Sequence, residues 1–310
     1  MSDTLTDQLA RTMAAGSKSF ATASKLFDSR TRRSTLMLYA WCRHCDDVID
    51  GQSLGFADPQ APAATAETRL VQLQTLTRRA CAGEPMTDPA FIAFQQVALR
   101  HAIPQQQAFD HLEGFAMDVR GAHYETLEDT LRYSYHVAGV VGLMMARVMG
   151  VRDEAVLDRA CDLGLAFQLT NIARDIVEDA RAGRCYLPAR WLAEEGLNRD
   201  NFADLSRRAA LARVAARLVD AAEPYYASAQ SGLSGLPLRS AWAIATARGV
   251  YRAIGVKVRD AGVHAWDRRQ GTSRLEKLAL LLSGAGLALS ARAASATMPP
   301  RAGELWQRPR

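Results

Sequence analysis

Residues 164–179 read GLAFQLTNIARDIVED, and this stretch decides the fold class. Its apolar residues recur at helical spacing around most of the circumference, which predicts a buried α-helix. The side chains of Gln168, Asn171, Asp175 and Asp179 nevertheless fall within about 80° of one another on that helix. A buried helix that carries such a polar stripe is expected to line a cavity.

Residues 39–50, YAWCRHCDDVID, predict a second helix with an acidic face. Tyr39, Arg43, Asp46 and Asp50 lie within about 60° of one another, whereas Asp47 points elsewhere. This face therefore combines an aromatic hydroxyl, a guanidinium and two carboxylates that are one turn apart.

Carboxylates gathered in a cavity raise each other's pKa unless cations neutralise them. Hard oxygen ligands without histidine or thiolate favour magnesium or manganese over zinc. Two facing acidic helices would clamp a diphosphate between metal ions, which stabilise the charge on a departing diphosphate. Arg43, Arg174 and Arg184 lie in or beside the two motifs and would complete the clamp. The alternative, two solvated acidic faces that form salt bridges, fits poorly with helices that are otherwise apolar.

The rest of the chain also shows helical spacing, and no run of alternating β-branched residues indicates strands. We predict an all-α fold in one domain over residues 1–310, with a flexible loop at 51–66 and a disordered tail at 293–310. The predicted helices cover 29–50, 67–82, 88–102, 105–120, 127–149, 154–181, 206–230, 237–261 and 272–292.

Composition gives weaker constraints. The 310 residues are 48% hydrophobic and 23% charged, without an apolar stretch of transmembrane length or a secretory signal, so a cytoplasmic protein is expected. Five cysteines indicate no disulfide framework, and Cys42 and Cys45 are interpreted as helix-packing thiols rather than a redox or zinc pair. Residues 239–310 hold 13 Lys and Arg against 4 Asp and Glu, which fits either an anionic surface or scattered surface arginines.

Five segments together carry a resemblance to a known family: Gly16–Phe20, Tyr39–Asp50, Tyr133–Gly142, Gly164–Asp179 and Gly183–Pro188. In order and spacing they resemble the squalene/phytoene synthase family, and within it they are most similar to the bacterial phytoene synthases. The second acidic segment is the most specific of the five.

The resemblance implies an all-helical isoprenoid synthase bundle with a central cavity. It also implies the head-to-head coupling of two geranylgeranyl diphosphates, through prephytoene diphosphate, to 15-cis-phytoene in carotenoid biosynthesis. No nucleic-acid partner is expected. Other carotenoid enzymes and the inner membrane surface are open as partners.

The resemblance further implies roles for individual residues. The implied ligands of Mg²⁺ or Mn²⁺ are Asp46, Asp50, Asn171, Asp175 and Asp179. The implied contacts to diphosphate are Ser17, Lys18, Ser19, Arg43, Gln168, Asn171 and Arg174, joined by Arg184 from its place beside the second motif. The residues expected to carry catalysis are Tyr39, Arg43, Asp46, Asp50, Asp175, Asp179 and Tyr251. Residues 264–267 depart from the family pattern, which has a basic residue before the aromatic.

Three other functions remain open. The spacing of Asp46, Asp47 and Asp50 also fits a head-to-tail prenyl diphosphate synthase, although the second cluster is not another doubled aspartate. A squalene or dehydrosqualene synthase that uses farnesyl diphosphate is closer still. A non-catalytic assembly factor of the same family would have lost the acidic ligands, and both clusters are intact here.

Overall fold

The computed structural model describes residues 13, 18–53, 56–57, 65–293 and 298–310, with only the backbone for residues 18–20 and for the two short strands. The described chain is almost entirely helical, which confirms the predicted all-α class. The helices are α1 (Lys18–Ser24), α2 (Ser29–Asp50), α3 (Ala66–Cys81), α4 (Pro89–His101), α5 (Gln105–Val119), α6 (Leu127–Ser134), α7 (Val140–Val148), α8 (Glu154–Arg181), α9 (Ala189–Glu194), α10 (Arg208–Ser231), α11 (Leu238–Ala261) and α12 (Arg274–Ala293). A π-helical segment, Tyr135–Gly139, joins α6 to α7.

Helix α8 lies at the centre of the bundle, in contact with α7, α10, α11 and the π-helical segment. Its start is fixed by Asp153, whose side chain accepts a hydrogen bond of 2.8 Å from the Ala155 N–H. Apolar side chains are buried along almost its whole length, from Val156 to Val177. The buried helix predicted from its apolar periodicity is therefore present.

Helix α2 begins at a capping aspartate and presses one face into the core. Asp28 accepts hydrogen bonds from the backbone N–H groups of Arg30 at 3.0 Å and Thr31 at 2.9 Å. Trp41 is fully buried and stacks on Phe94 of α4, with 4.0 Å between the ring centroids. The opposite, acidic face of α2 lines the central cavity with Arg43 and Asp46.

Small residues bring the π-helical segment and α7 close to α8. A Cβ on Gly142 would lie 2.3 Å from the backbone oxygen of Ala160. A Cβ on Gly164 would lie 2.4 Å from the backbone oxygen of Ala138. Since Ala138, Gly142 and Gly164 also line the central cavity, these residues both permit close packing and leave room beside it.

The loop predicted at 51–66 contains regular structure at its described positions. β1 (Gln52–Ser53) pairs antiparallel with β2 (Phe56–Ala57), and Thr65 caps α3. Residues 54–55 and 58–64 lie outside the described residues, so the predicted flexibility of this loop stays a prediction.

The C-terminal residues differ from the disordered tail predicted at 293–310. Residues 298–310 pack against α8, where Arg301 pairs with Asp162 and Leu305 is buried. Arginines in this segment meet acidic side chains from the first turns of α8. The sequence pattern did not reveal this contact because the two partners are far apart along the chain.

The basic excess of residues 239–310 is also largely paired. Arg252 contacts Glu223 at 2.7 Å, and Arg259 contacts Asp220 at 3.1 Å. Much of the local positive charge is thus balanced by acidic residues from other helices. In the part of the chain that the structure describes, none of the helices has the length and hydropathy of a membrane-spanning segment.

The close contact between Gly164 and Ala138 predicts a stability effect. We expect Gly164→Ala to lower the free energy of unfolding by about 1–3 kcal/mol, because the added methyl meets backbone atoms. Gly286→Ala is the matched control, since no atom lies within 4 Å of its added Cβ. That helical substitution should instead raise stability by about 0.5–1 kcal/mol. Urea unfolding of both variants measures the difference, and equal stabilities would contradict the proposed contact.

Candidate active site

A cavity of about 420 Å³ lies between α2, α5, α7, α8 and α11. One part of its wall is polar, and the remainder is mainly apolar. The polar part consists of Arg43, Asp46, Asp118, Gln168, Asn171 and Arg184. The apolar part includes Val137, Val141, Met145, Met149, Val156, Leu163 and Phe167.

The cavity is long in the direction of α8. Its lining follows this helix from Asn171 back to Val156, which spans about 22 Å at the α-helical rise. On the opposite wall, lining residues extend from Val137 to Met149, about 18 Å. A narrow apolar space with a charged end fits a molecule that has a hydrocarbon chain and an anionic head.

The first acidic face is held by Arg43. Its guanidinium lies 3.1 Å from Asp46 and 2.7 Å from Asp47. Burial raises the pKa of Asp46 to about 6; Arg43 opposes this shift, and the neighbouring Asp50 carboxylate adds to it. The acidic face therefore carries more negative charge than this one arginine neutralises.

Arg184 links the first acidic face to the end of α8. Gly183, with a φ of 74°, reverses the chain after α8, and the Arg184 N–H donates a hydrogen bond of 2.9 Å to the Asp179 carbonyl. The Arg184 guanidinium donates two hydrogen bonds to the Asp50 carboxylate. Burial would lower the pKa of Arg184, but the bond to Asp50 raises it, so this side chain stays charged.

The second acidic face is arranged in the same way. Asp175 accepts hydrogen bonds from Arg174, one of them 2.7 Å long, and from Arg269 at 2.9 and 3.2 Å. Burial, followed by the nearby Asp175 carboxylate, raises the pKa of Asp179 to about 7. Both acidic faces thus combine paired carboxylates with one carboxylate whose charge is poorly compensated.

Asn171 and Gln168 complete this face, one and two turns before Asp175. The Asn171 amide donates a hydrogen bond of 3.4 Å to the side-chain oxygen of Gln168. The Asn171 side-chain oxygen is buried without a hydrogen-bond partner. It is therefore an available oxygen ligand at the polar end of the cavity.

Within the described ranges, no three His, Cys, Asp or Glu side chains are already arranged as a cation site. The carboxylates instead turn towards arginines. The donor set still fits a hard divalent cation, because the pKa values of Asp46 and Asp179 stay raised despite the nearby arginines and the Asn171 oxygen lacks a partner. Carboxylate and amide oxygens are the ligands that such cations prefer.

Two tyrosines predicted as catalytic residues also line the cavity. Burial raises the pKa of Tyr39 to about 12, so its hydroxyl keeps its proton at neutral pH. Tyr251 stacks on Phe167, with 4.1 Å between the ring centroids. Cys42 lines the cavity as well, and its thiol also stays protonated because burial raises its pKa to about 12.

The structure therefore brings most of the predicted site residues together. Those that line the cavity are Tyr39, Arg43, Asp46, Gln168, Asn171, Arg184 and Tyr251. Asp50, Arg174, Asp175 and Asp179 adjoin its polar end through the interactions above. Ser17 lies outside the described residues, and only the backbone of Lys18 and Ser19, at the start of α1, is described.

Comparison with known proteins identifies the family of this chain. The sequence profile for squalene/phytoene synthase matches residues 13–277. The chain belongs to the squalene/phytoene synthase family. The resemblance inferred from the five sequence segments is thereby confirmed.

Members of the squalene/phytoene synthase family match over nearly the full chain. The chain is 67% identical over 305 residues to a 15-cis-phytoene synthase of Pantoea ananas, with 98% of each chain covered. It is 53% identical over 294 residues to a 15-cis-phytoene synthase of a Paracoccus species, covering 95% of this chain and 94% of that one. The crystal structure of a dehydrosqualene synthase in complex with ligand has a TM-score of 0.81 at 27% identity, covering 92% and 96%.

The sequence around Glu113 and Asp118 also resembles a helix of the family, but it did not reveal the tyrosines that cluster around Asp118. The hydroxyls of Tyr133 and Tyr186 each donate a hydrogen bond of 3.1 Å to its carboxylate, and the two rings stack with centroids 4.5 Å apart. Burial raises the pKa of Asp118 to about 6, although Arg184 and the two hydroxyls oppose the shift. Both tyrosines lie in segments that carried the family resemblance, but no local pattern pairs them with Asp118.

Arg269 was missed as well. It pairs with Asp175 although it follows, rather than precedes, the aromatic residue of its segment. Trp266 fixes that segment by donating a hydrogen bond of 3.1 Å to the carbonyl of Ala173 on α8. A basic residue is thus present at the end of the site where the sequence departed from the family pattern.

The Asp118 cluster predicts unequal effects for similar substitutions. Tyr186→Phe removes a hydrogen bond to a buried carboxylate and should lower the free energy of unfolding by about 1–3 kcal/mol. Tyr124 is equally buried and touches both other rings, but donates no hydrogen bond to Asp118. We therefore expect Tyr124→Phe to change stability by less than about 0.5 kcal/mol. Chemical unfolding gives both values, and equal losses would show that the hydroxyl bond is unimportant.

Proposed function

We propose that this protein is a 15-cis-phytoene synthase that couples two geranylgeranyl diphosphates head to head. The observation that carries the proposal is the cavity, which follows α8 for about 22 Å; its polar end gathers both acidic faces, and the rest of its wall is mainly apolar. The identity of 67% to a 15-cis-phytoene synthase over nearly the full chain supports the product.

The polar end is suited to hold two diphosphate groups. Asp46 and Asp50 on one wall, with Asn171, Asp175 and Asp179 on the other, would hold Mg²⁺ or Mn²⁺. When bound, such cations stabilise the charge on the departing diphosphate. Carboxylates that bind cations release their arginines, so Arg43, Arg174 and Arg184 become available to diphosphate oxygens.

The reaction that fits this site produces two diphosphates, two protons and a hydrocarbon. The first diphosphate leaves with the electron pair of its carbon–oxygen bond, and the resulting allylic cation is attacked by the double bond of the second molecule. Loss of a proton closes the cyclopropane ring of prephytoene diphosphate. Departure of the second diphosphate, rearrangement and loss of another proton give the central double bond, and no reductant is consumed.

The apolar walls contribute binding and protection. Each buried CH₂ of a prenyl chain contributes about 0.8 kcal/mol, and exclusion of water keeps the cation from being hydrolysed. The stacked rings of Phe167 and Tyr251 offer aromatic faces that attract positive charge. Because the Tyr39 hydroxyl stays protonated, its role is to donate a hydrogen bond rather than to remove a proton.

One alternative has specific support. The similarity to a dehydrosqualene synthase structure favours coupling of two C15 farnesyl diphosphates as the second candidate. The two candidates share the polar end and differ in the hydrocarbon length that the apolar part accepts. A non-catalytic assembly factor is disfavoured because both acidic faces are complete.

The test is incubation of the purified protein with Mg²⁺ or Mn²⁺ and either C15 or C20 diphosphate, without NADPH, followed by extraction and chromatography. We expect a C40 hydrocarbon with a conjugated triene from the C20 substrate. Asp46→Asn and Asp175→Asn should each lower turnover at least about 100-fold, a loss of about 2.7 kcal/mol of transition-state stabilisation. Their helicity, measured by circular dichroism, should be retained.

Asp220→Asn is the matched control, because Asp220 forms an exposed ion pair away from the cavity. It should retain wild-type turnover. A C30 hydrocarbon as the main product, or a longer linear diphosphate, would contradict the assignment to C20 coupling. Full activity of either cavity variant would contradict the metal-binding role of that aspartate.

We further propose that α12 rests on an anionic membrane surface, where prenyl substrates and a hydrocarbon product dissolve. Four leucines form one exposed stripe on this helix: Leu275, Leu278, Leu282 and Leu289, with 80%, 53%, 65% and 59% of their surface accessible. Arg274, Lys277 and Arg292 lie on the same helix and form no ion pair with a described residue. Leucines flanked by basic residues complement an interface that is apolar beneath and anionic above.

Sedimentation with vesicles of phosphatidylcholine and phosphatidylglycerol at low salt tests this surface. Leu275→Ser combined with Leu282→Ser should lower the bound fraction at least fivefold. Leu99→Ser combined with Leu205→Ser is the control, because those leucines are 57% and 78% exposed on other faces. Equal vesicle binding by the two double variants would contradict the proposed surface. The proposal would also be contradicted if the wild-type protein, without lipid, formed a dimer that buries the leucine stripe.

A further inference from the structure

Arg159 is a buried cation at the end of the cavity remote from the acidic faces. It is 4% exposed and lies on α8 twelve residues before Asn171, or about 18 Å along the helix. Around it the cavity is lined by Val156, Ala160 and Gly232. A charged side chain in this apolar surrounding needs partners, and none of the catalytic steps above uses it.

The partners of Arg159 lie on the side away from the cavity. Its guanidinium donates hydrogen bonds of 2.8 Å to the Ser228 hydroxyl on α10 and of 2.6 Å to the Pro299 carbonyl. The Ser228 hydroxyl in turn donates to the carboxylate of Asp162. Arg159 is therefore held between α10 and the C-terminal segment, residues 298–310.

Asp162 ties the same segment to the cluster. Its side chain is completely buried, and Arg301 donates two hydrogen bonds to it, at 2.9 and 2.6 Å. Further along the segment, Arg308 contacts Asp158 at 2.7 Å, and the ring of Trp306 lies 5.5 Å from that of Tyr135. The segment is thus fastened at several points directly behind Arg159.

A hydrocarbon chain cannot replace any of these contacts. To pass Arg159, the end of a prenyl chain would have to displace a guanidinium from Ser228 and Pro299. A buried charge would then be left without hydrogen-bond partners, which costs more than the burial of a few additional methylene groups returns. The end of the cavity remote from the acidic faces is consequently closed by a charged side chain that is fixed in place.

We propose that Arg159, held by Pro299 and linked to Arg301 through Ser228 and Asp162, forms the floor of the prenyl cavity together with the neighbouring Val156 and sets the longest prenyl chain that the site accepts. This inference rests on the proposed function for the chemical class of the substrate. It assigns Arg159 a direct contact with the end of the chain, and it assigns Arg301 a role in positioning Arg159 through Asp162 and Ser228.

The experiment measures kcat/KM for C15, C20 and C25 prenyl diphosphates in the full-length protein and its variants. Arg159→Ala deepens the cavity and should raise the C25 to C20 ratio at least tenfold. Arg301→Ala should raise the same ratio by a smaller factor, about threefold, because Arg159 is still present but loses the support that Arg301 provides through Asp162. Ala160→Leu places a larger side chain on the cavity wall one residue nearer to the acidic faces than Arg159, and it should raise the C15 to C20 ratio at least tenfold.

Arg310→Ala is the matched control. Arg310 is 60% exposed, and its partner Asp158 still forms an ion pair with Arg308 when Arg310 is removed. This variant should therefore show wild-type ratios. Thermal unfolding of each variant separates a change in selectivity from a general loss of stability. A purely structural Arg159 would lower all three rates equally and leave their ratios unchanged.

Unchanged ratios in Arg159→Ala would overturn the proposal. If that variant does not fold, Ala160→Leu and Arg301→Ala decide, and unchanged ratios in both would overturn it equally. If the wild-type protein couples no prenyl diphosphate, the proposed function fails. The floor is then tested by the affinities of C15, C20 and C25 thiodiphosphates, which should fall sharply between C20 and C25 in the wild type but not in Arg159→Ala.

Discussion

Negative charge concentrated at one end of a buried cavity is the constraint on which the rest of this structure depends. Carboxylates from α2 and α8 face each other there, and burial raises the pKa of two of them, Asp46 and Asp179, towards neutrality. Such an arrangement is stable only when positive charge lies between the carboxylates. Arginines supply that charge here, and Gly183 provides the chain reversal that carries one of them, Arg184, back to the first acidic helix.

The arginines make the polar end a place where one set of ion pairs is exchanged for another. A carboxylate that pairs with Arg43, Arg174 or Arg184 in the free protein is suited to a divalent cation, and the released guanidinium is suited to a phosphate oxygen. In the proposed function, metal and diphosphate would enter together, since either one alone would leave part of the charge unbalanced.

Buried charges also meet partners at the opposite end of the cavity, around Asp162. Asp162 pairs there with Arg301, and Arg159 donates hydrogen bonds to Ser228 and Pro299, so that the C-terminal segment is fastened against α8. One helix, α8, thus carries the polar stripe of the reactive end and, three to four turns earlier, the fixed charges that close the apolar end.

The sequence by itself determined the helical class, most helix boundaries and the two acidic faces, because helical periodicity and caps are local properties. It also selected Asp46 and Asp50 over Asp47, since phasing on one helix needs no partner. Only the tertiary structure decided which charges meet. Asp118 with its two tyrosines, Arg269 on Asp175 and Arg301 on Asp162 join residues that are distant along the chain, and the packing of separate helices brings them together. The predicted disordered tail shows the same limit, because its order comes from acidic side chains on a helix more than a hundred residues earlier.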